Sequence, residues 1–550
     1  MIYMQNDEQL LKLKYGITIL KYIYPVLFAF LSVGTTHTKR YVVAFAVEVV
    51  ILFLFLNFIA KKSSVISWLV GVVVLFFIYA QSVVLNFAGS FLQLIMLTNL
   101  DSLDALRGKM AIYASGVLVS VLVLFLPVTY IPIGEKRKPT VRITAGILVV
   151  IIGVASIMYV GIQYSPSANV AFMIREACDR RATQDRIKNL SSKDIESPAE
   201  LFYSTSIGDG IAKSKNLPEH PNVVLILTEG MSRNIMEDSR NIMPNVSKLA
   251  DEGINFTNYY DHTAATYRGI IGTLYSSHQL NNGDTNNLVS VQSVLKRNGY
   301  GTIFVNSEPE NVEFTTYLNS MGFDSVESGT IEDRSLTDGE TYDLVFDSLK
   351  KGGADGTPQF VVTYTFGTHV SFDSPEETYG DGSDRLLNRF YNADYQFGQF
   401  LKKLEKSEFA DNTVVVFTAD HASYVDEDYT STFYGVKERT DGFCDTIPFI
   451  IWYQGIEHED IDASGRNSLA LAPTILDYLD YDSENYFLGT SLYLPMRNTL
   501  METTFCVPDS DYFLRTEGDM RSLTEEELKE YRSVLEKYLS LTIRIDVPIP

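Results

Sequence analysis

The chain has 550 residues, 46% of them hydrophobic, and a formal charge of −23. That length allows two to four domains, each able to bury a core, and 33 tyrosines with 32 phenylalanines exclude a disordered chain. Residues 1–165 carry 13 basic and 6 acidic side chains, so the acid excess lies wholly in the remainder, which argues against a nucleic-acid binder. The three cysteines, Cys178, Cys444 and Cys506, have no CxxC spacing, which excludes a cysteine zinc site and a disulfide framework. A Cys444–Cys506 bridge in an oxidising compartment stays open beside three ordinary thiols.

Five apolar runs open the chain, at about Ile17–Val33, Tyr41–Ala60, Val65–Leu85, Ala111–Tyr130 and Ile143–Ile162. Each approaches the ~20 residues that cross ~30 Å of hydrocarbon. A signal peptide would be single and shorter. Phe87–Leu100 is apolar but short, and reads as an interfacial or re-entrant piece. With a cytoplasmic N-terminus, the inner segments hold Lys12, Lys14, Lys61, Lys62, Lys136, Arg137, Lys138 and Arg142, against Lys39, Arg40, Arg107 and Lys109 outside. That bias, with an odd number of spans, places all that follows residue 165 outside the cell membrane. Glu48 falls mid-span; it either meets a basic or lipid partner or is a hydrogen-bonded packing residue.

Residues 164–216 read as a linker with helical segments, closed by Leu217-Pro218-Glu219-His220-Pro221. An α/β alternation follows. Continuous apolar runs at Val223–Leu227, Thr302–Val305, Phe360–Thr365, Thr413–Phe417 and Pro448–Trp452 suit buried parallel strands. Helical patterns at Val289–Arg297 and Arg385–Leu404 lie between them. A capping box, Thr524 to Glu527, opens a closing helix over Thr524–Leu541. The organisation expected is therefore a five-helix transmembrane domain over 1–163, the linker, an extracellular α/β domain over 217–515, and a C-terminal helix and tail over 516–550.

Ligand sites in open α/β sheets form outside the carboxyl ends of the strands. Val223–Leu227 runs into Thr228-Glu229-Gly230, Val414–Phe417 into Thr418-Ala419-Asp420-His421, and Phe360–Tyr364 into Thr365-Phe366-Gly367-Thr368-His369. Glu229, Asp420 and His421 converging on one edge make a divalent-metal site, for which Mn²⁺ suits the mixed oxygen and nitrogen set best, with Zn²⁺ or Mg²⁺ as alternatives. Singly, Glu229 serves equally as a helix cap and Asp420 as a turn residue. A hydroxyl at a helix start beside that metal would be an activated nucleophile, and the run Thr263-Ala264-Ala265-Thr266-Tyr267-Arg268 supplies two. An ordinary N-cap is the plain alternative.

Together these segments resemble the lipoteichoic-acid synthase branch of the alkaline phosphatase/sulfatase superfamily. Asn222–Glu229 resembles its first strand with the metal-binding Glu, Ala419-Asp420-His421 its Asp-His pair, and His369 its substrate-binding histidine. Leu471-Ala472-Pro473-Thr474-Ile475-Leu476 and Gly489-Thr490-Ser491-Leu492 resemble its later landmarks. Ungapped counting back from Leu274-Tyr275 makes Thr263 the nucleophile and fourth metal ligand, with Thr266 the alternative.

The resemblance implies a sulfatase-like fold and a phosphotransferase. It would move a phosphoglycerol-type headgroup from a membrane phospholipid, phosphatidylglycerol first, through a phosphothreonine to an envelope polysaccharide, glycolipid or teichoic-acid acceptor. His369 would protonate the leaving group or hold a phosphate oxygen. The family's His, Trp and Arg for glycerophosphate are missing from Asn306–Phe314, which leaves Asn306, Glu308 and Asn311 as candidate contacts to substrate hydroxyls and Arg268 as a candidate contact to phosphate. A phosphoethanolamine transferase or a phosphodiester hydrolase of the same superfamily is the rival reading. A sulfatase is disfavoured, since no Cys or Ser precedes the required Pro and Arg.

Overall fold

A computed structural model describes residues 2–36, 38–88, 91–92, 110–193, 200–208, 216–281, 284, 286–331, 334–353, 356–369, 376–425, 427–433, 442–508 and 512–542. The chain divides into two compact units, Met1–Asp179 and Arg180–Pro550.

The first unit contains α1 (Ile2–Leu31), α2 (Arg40–Ala60), α3 (Ser64–Ala88), α4 (Met110–Leu124) and α5 (Pro139–Val160). Four of these helices are long and apolar enough to cross a membrane, over Glu8–Leu31, Arg40–Ala60, Ser64–Phe87 and Pro139–Val160. The expected Ala111–Tyr130 span is the exception, because its helix stops at Leu124. The chain then turns non-helical ahead of Pro127, and side chains of the neighbouring helices satisfy its freed backbone groups. Lys21 Nζ donates to the Leu126 carbonyl at 3.2 Å, Thr18 Oγ1 accepts from Thr129 N at 2.9 Å, and Trp68 Nε1 donates to the Phe125 carbonyl at 3.1 Å. Asn57 bonds both the N–H and the C=O of Ile131 at 2.9 Å. Away from water such groups need protein partners, which explains a buried lysine in α1. The expected piece at Phe87–Leu100 falls mostly outside the described residues.

Gly153 lets α5 lie against α2, since a Cβ there would stand 2.7 Å from Ile51 Cδ1. Glu48 is a packing residue. Its carboxylate accepts from the Ser165 and Ser167 hydroxyls and from Ser167 N at 3.1 Å, at the N-terminus of α6 (Pro166–Lys193), where a negative charge is favoured. The boundary between the units falls inside α6. In the second unit, Ile187 joins a cluster with Phe202, Leu280, Tyr531 and Leu535, and Arg186 pairs with Glu536 at 2.8 Å.

The second unit is built on an eight-stranded sheet of order β4-β3-β5-β1-β6-β7-β2-β8. Its strands are β1 (Asn222–Thr228), β2 (Ile254–Thr257), β3 (Gly301–Val305), β4 (Ser325–Glu327), β5 (Gln359–Thr365), β6 (Thr413–Ala419), β7 (Phe449–Trp452) and β8 (Glu459–Asp462). All five expected strands form. β1, β5 and β6 pair in parallel and are buried along their whole length, as apolar runs covered on both faces are. The strand at Pro448–Trp452 departs from expectation, for β7 runs antiparallel to both β6 and β2.

Helices Pro244–Glu252, Asp338–Gly353 and Arg385–Glu405 form one covering layer. Thr266–Tyr275, called α7, packs with Val291–Arg297 and Leu471–Tyr478 in the other. A three-stranded sheet, β9 (Thr504–Val507), β10 (Tyr512–Arg515) and β11 (Arg521–Ser522), follows. The closing helix α8 (Glu525–Thr542) starts from the expected capping box: Glu527 N donates to Thr524 Oγ1 at 3.3 Å, and Thr524 N to Glu527 Oε2 at 2.8 Å. Its apolar face buries Tyr531, Leu535, Tyr538 and Leu539. All three cysteines are free thiols, so Cys444 and Cys506 are not bridged. Burial pushes the Cys506 thiol up to about 12.

Candidate metal centre and nucleophile

β1 and β6 are adjacent, parallel and in register from Asn222 opposite Thr413 to Thr228 opposite Ala419. The residues just past their ends are therefore neighbours, and Glu229, Asp420 and His421 each place one ligand atom within 4.8 Å of the others. All three are buried.

Hydrogen bonding occupies one side of each group and leaves the other turned to a common point. Glu229 Oε2 accepts from Tyr364 Oη at 2.7 Å and from Thr266 Oγ1 at 3.0 Å. Asp420 Oδ1 accepts from Gly230 N at 2.9 Å and from His421 N at 2.8 Å, while its buried Oδ2 has no hydrogen-bond partner. His421 Nδ1 stands 2.8 Å from the Ala422 carbonyl, so it must donate, and Nε2 is the nitrogen left to bind an ion. That nitrogen lies 3.6 Å from both Glu229 Oε1 and Asp420 Oδ2.

The electrostatics fit a cation. Burial and the Glu229 charge push the Asp420 carboxyl well above the usual carboxylate range. Burial opposes ionisation of Glu229 too, but His421, His369 and the Tyr364 hydroxyl hold it below its ordinary value. His421 is raised despite burial, by Asp420 and Glu229. Two buried carboxylates at this spacing need positive charge between them, and the three inward atoms are a suitable oxygen-oxygen-nitrogen set for one divalent ion.

Thr266 is the first residue of α7, so its hydroxyl lies beside the unpaired amides of a helix N-terminus. Thr263 Oγ1 is buried without a hydrogen-bond partner, and Glu229 bonds Thr266 instead. The ungapped count favours Thr263, but helix α7 begins only after Ala265, so the hydroxyl at the helix start that bonds Glu229 is that of Thr266. Ala265 has φ +76° and ψ 144°, a conformation L residues rarely adopt, and it sets the turn that presents Thr266. Gly269 permits close approach, since a Cβ there would stand 2.2 Å from the Asp420 carbonyl oxygen. Neither Ala265 nor Gly269 nor Tyr364 carries a sequence signal as a site residue.

His369 stacks on Phe366 with ring centroids 4.7 Å apart. Burial depresses it, Glu229 opposes, and His421 and Arg389 depress it further. Glu308 lies near enough to sense Glu229. Burial, then Glu229 and Glu310, push its carboxyl up to about 8.

Two further candidates are engaged elsewhere. Asn306 uses its amide to brace its own loop, donating to Thr315 Oγ1 at 2.9 Å and accepting from Glu308 N at 2.9 Å. Arg268 is buried and donates to the Leu280 carbonyl at 3.1 Å, anchoring α7 to the following loop, and burial lowers it to about 10. Tyr424 lies parallel to the His421 ring, with centroids 4.9 Å apart.

Residues 221–481 match the Sulfatase family profile, a span that contains the whole cluster. A lipoteichoic acid synthase-like protein of Bacillus subtilis, YvgJ, is 24% identical over 339 residues, covering 54% of this chain and 52% of that protein. The chain thus carries a Sulfatase domain over residues 221–481 and is similar to a lipoteichoic acid synthase-like protein. An ulvan-active sulfatase of Formosa agariphila is 23% identical over 399 residues, or 61% of this chain and 65% of that one. The chain thus spans 65% and 52% of the lengths of these two relatives. Among solved structures, an alkaline phosphatase superfamily protein from Vibrio parahaemolyticus has a TM-score of 0.49 at 19% identity, covering 66% of this chain and 94% of that one. The lipoteichoic acid synthase LtaP from Listeria monocytogenes has a TM-score of 0.48 at 17% identity, covering 63% and 97%. Glu229, Asp420 and His421 form a candidate metal-binding group inside the matched span.

Proposed function

We propose that the protein is a membrane-anchored phosphotransferase with Thr266 as its nucleophile. It would transfer a phosphoglycerol-type headgroup from a phospholipid, phosphatidylglycerol first, to a cell-envelope glycan, glycolipid or teichoic-acid acceptor. The observation that carries this reading is the Thr266 hydroxyl, 3.0 Å from Glu229 Oε2 at the start of α7 and beside the three inward-facing ligand atoms.

Glu229, Asp420 and His421 would hold one divalent ion, Mn²⁺ first by the donor set, which when bound lowers the pKa of an adjacent hydroxyl and neutralises phosphoryl oxygens. Thr266 directs its proton at Glu229 Oε2, which leaves its lone pairs for attack on phosphorus. A Thr266 Oγ–P bond forms as the hydroxyl proton passes by way of Glu229 Oε2, and the bond from phosphorus to the diacylglycerol oxygen breaks with that oxygen taking up a proton, so that diacylglycerol leaves as the neutral alcohol. The acceptor hydroxyl then displaces Thr266. The amides at the N-terminus of α7 face the phosphoryl oxygens. The depressed His369 is neutral at pH 7, so it serves as a hydrogen-bond donor to a phosphate oxygen rather than as a resting acid. The apolar helices would keep lipid substrate and diacylglycerol product in one bilayer, with the domain on its outer face.

The test incubates the detergent-solubilised full chain with Mn²⁺ and labelled phosphatidylglycerol or phosphatidylethanolamine, and follows diacylglycerol release and the mass of a covalent adduct. Expected is diacylglycerol from phosphatidylglycerol and a phosphoglyceryl adduct on Thr266. Release from phosphatidylethanolamine alone supports the ethanolamine rival. Free headgroup phosphate without adduct or acceptor product supports a hydrolase.

A further inference from the structure

The segment that carries His421 is pinned on both sides. The peptide joining His421 to Ala422 is held at its carbonyl by Met231 N, 3.0 Å away, and at its N–H by Asp261 Oδ2, also 3.0 Å away. The next peptide, from Ala422 to Ser423, is held at its carbonyl by His421 Nδ1 at 2.8 Å and at its N–H by Ser232 Oγ at 3.1 Å. Met231 and Ser232 belong to the loop that begins with Glu229, so two of these bonds tie the two metal-binding loops together.

Asp261 comes from elsewhere, five residues ahead of Thr266 on the segment that leads into α7. It is fully buried, and its other oxygen, Oδ1, accepts from Asp445 N at 3.1 Å. The ring orientation of His421 depends on where the Ala422 carbonyl points, and Asp261 is the charged anchor of the residue bearing that carbonyl. Partners of this kind around a metal-binding histidine set its tautomer and its direction.

We propose that Asp261 is a positioning residue for the metal centre: its carboxylate holds Ala422 so that His421 Nε2 faces Glu229 and Asp420 before any ion arrives, and it fixes that loop relative to the segment bearing Thr266. The proposal rests on the reading of Glu229, Asp420 and His421 as a metal site. It adds a residue that touches neither ion nor substrate yet governs ion affinity.

The experiment measures Mn²⁺ affinity by titration calorimetry on the detergent-solubilised full chain, for the unaltered protein, Asp261→Asn and Asp394→Asn. Asp394 is the matched control. It too is buried and accepts from two backbone amides, Asn245 N at 3.0 Å and Val246 N at 2.8 Å, at the start of the helix Pro244–Glu252. Asn keeps one acceptor and turns the other into a donor aimed at an N–H. Expected is a loss of roughly 10- to 100-fold in Mn²⁺ affinity for Asp261→Asn. Asp394→Asn should lose thermal stability with its affinity unchanged.

Equal affinity in both variants overturns the proposal. Failure of the unaltered protein to bind Mn²⁺ overturns the metal reading and this inference with it. Should Asp261→Asn not fold, hydrogen exchange of the metal-free unaltered protein decides. Slow exchange of the peptide containing the Ala422 amide supports Asp261 as the anchor. Free exchange that becomes slow only on adding Mn²⁺ makes the ion the organiser and sinks the proposal.

Discussion

Glu502 and Asp420 are equally withdrawn from solvent, at 0% and 1% exposure, yet their oxygens are treated differently. Glu502 is saturated: Arg466 Nη2 lies 2.7 Å from Oε2, which also accepts from Thr490 N at 3.1 Å, and Oε1 accepts from Thr490 Oγ1 at 3.0 Å and Arg497 N at 2.9 Å. Asp420 has only Oδ1 satisfied, while Oδ2 faces another carboxylate. A buried charge with every lone pair used stabilises a fold; one with a lone pair left open and a like charge beside it costs stability and is available for chemistry. Burial alone does not separate the two, whereas the hydrogen-bond inventory does.

The sharpest break of this comparison is at the nucleophile. Thr266→Ala should lower transfer at least ~10³-fold and abolish the covalent adduct, since the attacking atom is gone. Thr263→Ala should retain the adduct, and an adduct on Thr263 seen by mass spectrometry would return the nucleophile to that position.

Next come the carboxylates themselves. Asp420→Asn should abolish Mn²⁺ binding with little change in the melting temperature of the metal-free protein, because it takes away the anionic ligand oxygen while keeping the acceptor for Gly230 N and His421 N. Glu502→Gln should destabilise by about 3–5 kcal/mol in denaturant unfolding, by leaving Arg466 uncompensated, with Mn²⁺ affinity unchanged. The opposite pattern would dissolve the contrast. Gly269→Ala places a methyl against the Asp420 carbonyl and should cost on the order of 10²-fold in turnover, since ångström-scale misplacement has that effect.

A pH titration sharpens the same point. The raised Asp420 and His421 hold protons that an ion must displace, so Mn²⁺ affinity should fall as pH falls, and binding should release protons. Calorimetry in buffers of different ionisation enthalpy reads this directly. Glu308, at about 8, keeps its proton in the folded state where the unfolded chain has lost it. Stability should therefore decline as pH rises from the ordinary carboxylate range toward 8, and Glu308→Gln should flatten that decline. The smallest expected effect is Ala265→Gly, which relieves the backbone strain and should stabilise by about 1 kcal/mol while slowing transfer severalfold.

Much of this was legible along the chain. The apolar runs of β1, β5 and β6 could be read because a strand covered on both faces has no polar positions, and Glu229, Asp420 and His421 could be read because they end such strands. β2 and β8 escaped: β2 is four residues with Asn255 at its centre, and β8 is Glu459-Asp460-Ile461-Asp462, an exposed edge without an apolar pattern. The antiparallel direction of β7 was invisible, since a buried run reads alike in either direction. In the first unit, the hydropathy of Ala111–Tyr130 concealed the break after Leu124, which exists because Thr18, Lys21, Asn57 and Trp68 lie within reach of the backbone there.

The order of the residues was enough to define the class of the protein: apolar helices, then an α/β domain with ligand-type side chains at its strand ends, because burial imprints periodicity on sequence. It was not enough to say which of Thr263 and Thr266 bonds Glu229, or that Tyr364, Gly269 and Asp261 stand beside the strand ends. Those assignments depend on ångström distances between segments far apart in the chain, and packing alone sets such distances. Helix α7 meets the end of β6 because Gly269 lets it, and the threonine that reaches Glu229 is the one that this contact brings there.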